Sequence, residues 1–298
     1  MSSTLEEILN VIAISNQKGG VAKTTTTINL AAGLALKEYL INPENPKKVL
    51  FVSLDPQADG SLMMAGQIIM REDQEPKQYK YNLADLMMSD DPPSTFEAIQ
   101  KSILPSAIKG CENLDFIPTD RDSMSALNTS IIQINSREER LKYALEDIDG
   151  FYKYVIIDTP TRLDPLHLNA LYAATHFIVP MVPTGLGLIH LQDLFQTTSR
   201  IQKRQNPGLK FMGILPSRCA MQRSETHQVL ETLRENFPEK MFDPIADRSD
   251  VTMASTSGLD IFSYRSPRIG STSFISESSD AAKEFGALTN RVYDLLNN

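Results

Sequence analysis

Two cysteines are all that the 298 residues contain, and Cys111 and Cys219 stand far apart with no metal-ligand spacing around either. A disulfide framework is therefore excluded, and the pair reads as unreactive thiols in a reducing compartment. No apolar run is long enough to span a bilayer, and the first residues, Met1 to Glu7, are acidic where a secretory leader would be basic. The expectation is a cytoplasmic protein. Basic charge is not in excess either: the formal net charge is −8. That rules out a wholly basic nucleic-acid module but not a local patch, because only nearby phosphates feel such a patch at physiological salt. Internal repeats and low-complexity stretches are also missing.

What is present is ordinary for a globular protein: 41% hydrophobic and 22% charged residues. Apolar β-branched runs alternate with helical patterns, which predicts an α/β fold whose mostly parallel sheet is covered on both faces. Strands are expected at Val11–Ser15, Lys48–Leu54, Leu114–Ile117, Tyr154–Asp158, His176–Met181, Lys210–Leu215 and Asp260–Phe262. Helices are expected at Thr24–Tyr39, Leu83–Met88, Thr95–Leu104, Ser125–Asp147, Leu188–Gln205, Glu225–Asn236 and Ser279–Leu296. Met70–Tyr81 reads as a surface loop and Asn42–Lys47, with two prolines, as the end of the first helix. No interdomain linker stands out. A single domain over 1–298, with 1–9 as an N-terminal extension, is the expectation.

The chemistry concentrates in Asn16-Gln17-Lys18-Gly19-Gly20-Val21-Ala22-Lys23-Thr24-Thr25, between the first strand and the first helix. Strand, glycine-bearing loop, Lys-Thr and helix together give the context of a phosphate-binding loop, hence a P-loop NTPase fold. Small residues let successive backbone N–H groups face one concavity, and the helix start adds its positive end. Lys23 would reach the β- and γ-phosphates, and the Thr24 hydroxyl would ligate Mg²⁺. The spacing departs from G-x-x-x-x-G-K-[ST]: Gln17 and Ala22 occupy the two glycine positions, and Lys18 is an additional lysine. If Ala22 needs a positive φ, the cost is about 1–3 kcal/mol; if its φ is negative, the cost is small. Further on, Tyr154-Val155-Ile156-Ile157-Asp158 is an apolar strand ending in a carboxylate, a Walker B strand whose Asp158 would hold Mg²⁺ directly or through water. Asp55 likewise closes a buried strand at the end where ligands sit in open α/β sheets. A helix-capping role for that aspartate is the plain alternative.

Lys-Gly-Gly-x-x-Lys-Thr resembles the deviant phosphate loop of the ParA/MinD class of ATPases, and the flanking Asn-Gln and Thr-Thr-Thr resemble the ParA branch. Asp55-Pro56-Gln57, Asp158-Thr159-Pro160 and the proline-ended strand through Pro180 match the family in order and spacing, over roughly residues 10–300. Ala22 and Ser53 depart from it, at positions usually glycine and acidic. The resemblance implies a slow, partner-stimulated ATPase with ATP and Mg²⁺ as cofactors, and Lys18, Lys23 and Asp55 as catalytic residues. Lys18 through Thr25 would cradle phosphates, with Lys18 reaching across a homodimer to the partner's nucleotide. Asp55 would position the attacking water and join Thr24 and Asp158 around the metal. Adenine contacts are implied near Pro216 and Arg218, and the chain lacks a guanine-reading Asn/Thr-Lys-x-Asp tetrad.

Between Asp193 and Glu225 lie Arg200, Lys203, Arg204, Lys210, Arg218 and Arg223, with no acidic residue among them. Such a stripe is either a footprint for phosphate backbones or a solvated helix face. Arg265 and Arg268 would extend it. The family resemblance favours nonspecific DNA, a nucleoid location and a ParB-like centromere-binding adaptor, with plasmid or chromosome segregation as the output. The last helix carries Phe285, Leu288, Val292 and Leu295 on one face and four cancelling charges, so it lacks the basic face needed for anionic lipid. The cysteines do not match the cluster positions of the nitrogenase iron protein, and no helix-turn-helix region precedes the first strand. Two alternatives remain: an ATPase of this fold that positions a protein assembly, and a metabolic enzyme such as a dethiobiotin synthetase or cobyrinate amidase.

Overall fold

The computed structural model describes residues 9–66, 81–88, 101–146, 148, 150–264 and 279–297. Its strands are β1 Asn10–Ile14, β2 Val49–Ser53, β3 Leu104–Pro105, β4 Leu114–Phe116, β5 Tyr154–Asp158, β6 His176–Met181 and β7 Lys210–Pro216. They form one seven-stranded sheet in the order β3-β4-β2-β5-β1-β6-β7. All pairings are parallel except that of the two-residue edge strand β3 with β4. The helices are α1 Lys23–Ile41, α2 Asp59–Met64, α3 Leu83–Met88, α4 Arg121–Ser130, α5 Arg140–Glu146, α6 Pro165–Ala173, α7 Gly185–Arg204, α8 Ser224–Asn236, α9 Ser249–Thr256 and α10 Asp280–Asn297.

Each central strand is apolar on both sides because both sides are covered. Val11, Ala13, Leu50, Val52, Val155 and Ile157 pack with α3 to α8 on one face. Their alternating neighbours Ile12, Ile14, Val49, Phe51, Tyr154 and Ile156 pack with α1, α2, α9 and α10 on the other. Phe285, Leu288 and Val292 of α10 are buried against α1, while Leu295 is exposed. No helix among the described residues is long and apolar enough to cross a membrane.

Three expectations change. Asp260–Phe262 is a turn, because the Asp260 carboxylate accepts from Phe262 N at 2.8 Å and Ser263 N at 3.0 Å, a local bonding that competes with a ladder. The helix expected over Ser125–Asp147 breaks into α4, a 3₁₀ turn at Ile131–Gln133 and α5, with Ser136 left-handed at φ 51° between the last two. Leu104 lies in β3 rather than a helix; most of the helix expected at Thr95–Leu104 falls outside the described residues. So does most of the Met70–Tyr81 loop. Helices α2, α6 and α9 carry no expectation from the sequence; α2 and α9 are short, and α6 is apolar through most of its length.

Gly33 sets how closely α1 and α10 approach. A Cβ there would come within 3.1 Å of Thr289 Cγ2 and 3.2 Å of a Phe262 ring carbon. Gly33→Ala is expected to lower stability by about 1–3 kcal/mol, read from the urea midpoint at unchanged slope.

Candidate functional site

The loop between β1 and α1 is fixed at its base before it reaches any ligand. Asn16 is buried; its amide donates to Pro180 O at 2.7 Å, and its Oδ1 accepts from Lys18 N at 2.9 Å. Gln17 reaches Thr197 Oγ1 of α7 at 3.4 Å. On the opposite flank Ser217 Oγ donates to Val21 O at 2.9 Å and Arg218 Nη1 to Gly20 O at 3.1 Å. Helix α1 then begins with no side-chain cap and no acidic residue in its first turn. Its first N–H groups are left for an anion, and its positive end stays unneutralised.

Ala22, the helix N-cap, is left-handed at φ 61°, ψ 35°. The open question about this position resolves toward strain: the Cβ crowds the carbonyl oxygen there, at about 1–2 kcal/mol. Ala58, before α2, is left-handed as well, at φ 57°. Both loops that flank the site therefore hold an alanine where glycine would relax.

Lys23 and Asp158 form the chemical centre. Lys23 is buried, and its Nζ donates to Lys18 O at 3.0 Å. Burial lowers its pKa, opposed by the charges of Asp158 and Asp55. Asp158 is fully buried and paired in register with Ile14 on one side and Ser53 on the other. Around its carboxylate stand hydroxyls: Thr24 Oγ1 at 2.8 Å, Ser53 Oγ at 3.4 Å and Thr27 Oγ1 at 3.5 Å. Burial pushes its pKa up to about 7, the Asp55 charge adds to this, and Thr24, Lys23 and Ser53 oppose it. A carboxylate buried among hydroxyls, beside a second carboxylate, is an oxygen donor set that suits a hard divalent cation, so the residues fit Mg²⁺. Asp55 sits at the same strand-end level, its Oδ1 accepting from Gln57 N at 3.0 Å. It is not the α2 N-cap, a position held by Ala58.

Beside the loop opens a cavity of about 420 Å³, lined among others by Gly20, Ala22, Thr26, Arg218, Val251 and Phe285. That size suits a small ligand. Thr26 is fully buried there with its Oγ1 unpartnered. Arg218 belongs to this wall, held at φ 49° and paired with Asp247 at 3.5 Å. Pro216 is buried at the end of β7, where its carbonyl accepts from Ile245 N, and does not line the cavity.

A family model described as an AAA domain matches residues 9–211. The chromosome partitioning protein ParA of Caulobacter vibrioides is 33% identical over 270 residues, covering 90% of this chain and 91% of the relative. The chain belongs to the ParA/MinD-type P-loop ATPases. Among solved structures it is similar to cobyrinic acid a,c-diamide synthase from Mycobacterium smegmatis with bound ATP analog and magnesium. That match has a TM-score of 0.65 and 26% identity, over 84% of this chain and 92% of the other. The fold of a Cyanothece McdA–ATP complex also matches, with a TM-score of 0.71 and 19% identity over 96% of each chain. ATP and Mg²⁺ are thus the cofactors of the group, in agreement with the donor set around Asp158.

The basic residues do not form one stripe. Arg200, Lys203 and Arg204 end α7, and Lys210 starts β7, all exposed toward the strand-start side of the sheet, with Arg200 one turn beyond Thr197. Burial, together with the charges of Lys210 and Lys240, lowers the pKa of His176 there to about 4, so Lys240 belongs to the same electropositive end. Arg218 and Arg223 lie at the phosphate-loop pole, across the seven residues of β7, roughly 20 Å away. Arg265 and Arg268 lie outside the described residues. Ser53, Thr27 and Ser217 are site residues the sequence reading missed. Small hydroxyl side chains in a strand, a helix or the turn after a strand carry no motif of their own.

Two outcomes follow from the strain and the buried charge. Ala22→Gly is expected to raise the stability of the nucleotide-free protein by about 0.5–1 kcal/mol, measured by urea unfolding, since relief of strain outweighs the added chain entropy. Asp158 has a folded-state pKa near 7, above its ordinary 3.8. Its protonated form is favoured by folding, so that contribution is complete below about pH 4 and disappears as pH rises through 7. Without metal the thermal midpoint should fall between pH 5 and 8; Asp158→Asn should flatten that fall, and Mg²⁺ with nucleotide should offset it.

Proposed function

We propose that this chain is a ParA-like partition ATPase, in which an ATP-dependent sandwich dimer binds DNA without sequence preference and is reset by a ParB-like adaptor. The observation that carries the reading is the division of labour between the two loop lysines. Lys23 is turned inward, buried and bonded to the Lys18 carbonyl. Lys18 itself is half-buried at the rim, and among the described residues its ammonium has no ion-pair partner. One lysine serves the chain's own nucleotide, and the other is available to a second copy's.

Hydrolysis is then positioning and charge neutralisation. Lys23 and the first amides of α1 hold the phosphates, and Lys18 from the second copy adds charge at the γ-position. Thr24 and Asp158 would hold Mg²⁺, which would supply charge neutralisation to the phosphates. Asp55 orients the attacking water. The strand-start side, with Arg200, Lys203, Arg204 and Lys210, takes the phosphate backbone, and dimerisation doubles that patch, so ATP gates affinity through avidity. The resulting location is the cytoplasm, on the nucleoid.

A second reading rests on the likeness to the M. smegmatis synthase and on the small-ligand cavity: ATP coupled to small-molecule chemistry. Turnover that depends on a small-molecule substrate, independent of DNA and dimerisation, would mark it.

Lys18→Ala is expected to abolish the ATP-dependent dimer in sedimentation, and Asp55→Ala to trap a dimer that binds DNA without turnover. Nonspecific duplex binding should require ATP and weaken steeply with salt, at about 0.9 log units per log unit of salt for each phosphate contact. Reversing charge at Arg200, Lys203 and Arg204 together should abolish it and leave basal hydrolysis intact. ATP hydrolysis with no DNA binding in any nucleotide state would transfer the reading to another surface or to metabolism.

A further inference from the structure

His167 is a buried titratable group for which the phosphate chemistry above has no use. It is fully inaccessible near the start of α6, and its backbone N–H is capped by the Asp164 carboxylate at 3.0 Å. Its Nδ1 lies 3.1 Å from the Pro160 carbonyl oxygen. A carbonyl only accepts, so Nδ1 carries the proton, and Nε2 is left as an acceptor. Ser15 Oγ lies 2.8 Å from Nε2 and donates to it.

The two partners come from the two strand ends that make the site. Ser15 immediately precedes Asn16 at the base of the phosphate loop, and its own N–H donates to Ile178 O at 2.9 Å. Pro160 lies two residues beyond Asp158, in the connection from β5 to α6, and the Arg162 backbone faces the ring from the same connection. Thr159 makes a parallel tie, its Oγ1 donating to Ile14 O at 2.8 Å. Thr161 rests against the loop itself: a Cβ on Gly19 would come 3.7 Å from its Cγ2. Among the described residues the charge that acts on the ring is that of Lys23 of α1, while the Asp164 carboxylate bonds the backbone N–H. Burial first and the Lys23 charge second lower the imidazole pKa to about 4, so it is neutral at ordinary pH.

We propose that His167 is a positioning residue for phosphoryl transfer, coupling the connection that follows Asp158 to the base of the phosphate loop through the bridge Ser15–His167–Pro160. The role rests on the ATPase reading. The imidazole touches neither phosphate nor metal; it acts by keeping the metal-holding strand end and the phosphate cradle in one frame. Displacements of about 1 Å at such a site cost on the order of 100-fold in rate.

The test has two arms. The first is a long-range ¹H–¹⁵N correlation spectrum of the His-labelled, nucleotide-free protein. A protonated Nδ1 and bare Nε2 from pH 5.5 to 8, with Nε2 moving in Ser15→Ala, is expected; the reverse tautomer, or a cationic ring, would overturn the bridge. The second is single-turnover ATP hydrolysis beside the Kd of a fluorescent ATP analogue. Ser15→Ala and His167→Ala should each lower the rate 10- to 100-fold and move the Kd by less than about twofold. The double variant should be no slower than the slower single, and His167→Asn, which keeps a donor toward Pro160, should recover part of the rate. An unchanged rate in Ser15→Ala, the variant that keeps the test readable if His167→Ala does not fold, overturns the proposal, as does an equal loss in rate and affinity. No turnover in the unmodified chain, with the tautomer as stated, removes the ATPase reading and the role with it.

Discussion

The carboxylate of Asp158 is enclosed at the middle of the sheet with hydroxyl groups for company, and the neighbouring parts are arranged around that cost. An isolated buried charge would shift toward neutrality, and this one does. Thr24, Ser53 and Thr27 come from α1, β2 and α1 again, so the carboxylate joins the phosphate loop's helix to the strand that delivers Asp55. Lys23, a buried cation near it, loses more to burial than it gains from the two aspartates, so its pKa falls. The site thus gathers two carboxylates and a buried lysine, a charge set that suits a divalent cation beside an anion.

Much of this was legible in the sequence, for a definable reason. Parallel strands buried on both faces read as continuous apolar runs, so β1, β2, β5, β6 and β7 were placed to within a residue or two. Lys23, Thr24 and Asp158 follow because their chemistry needs those residue types at a strand end or helix start. The two-residue β3 carries no pattern. Asp260 looked like a strand's first residue because apolar residues follow it, yet its carboxylate bonds its own chain two and three residues on. Charge clustering misled in another way: six basic residues clustered in sequence are divided by a strand that carries the chain from one pole to the other. Sign can be read from sequence, whereas position depends on the topology.

The strained alanines show a different limit. Gly and Ala differ by a methyl group, and whether that matters is settled by φ alone. At Ala22 and Ala58 the chain adopts a conformation that neither residue favours, which means the surrounding contacts over-determine both loops. Asn16, Ser217 and Arg218 supply such contacts for the first loop. The phosphate cradle is held in shape from its flanks rather than by its own backbone preference.

Helix α7 is touched by the phosphate loop at Thr197, through Gln17, and ends seven residues later among the basic side chains. At 1.5 Å per residue that contact and the helix end are about 10 Å apart. Substitutions that far apart combine almost independently. Mutation can therefore change the exposed charge at the helix end while the contact at Thr197 stays as it is. One helix thus ties the loop to an exposed surface and still lets the two vary separately.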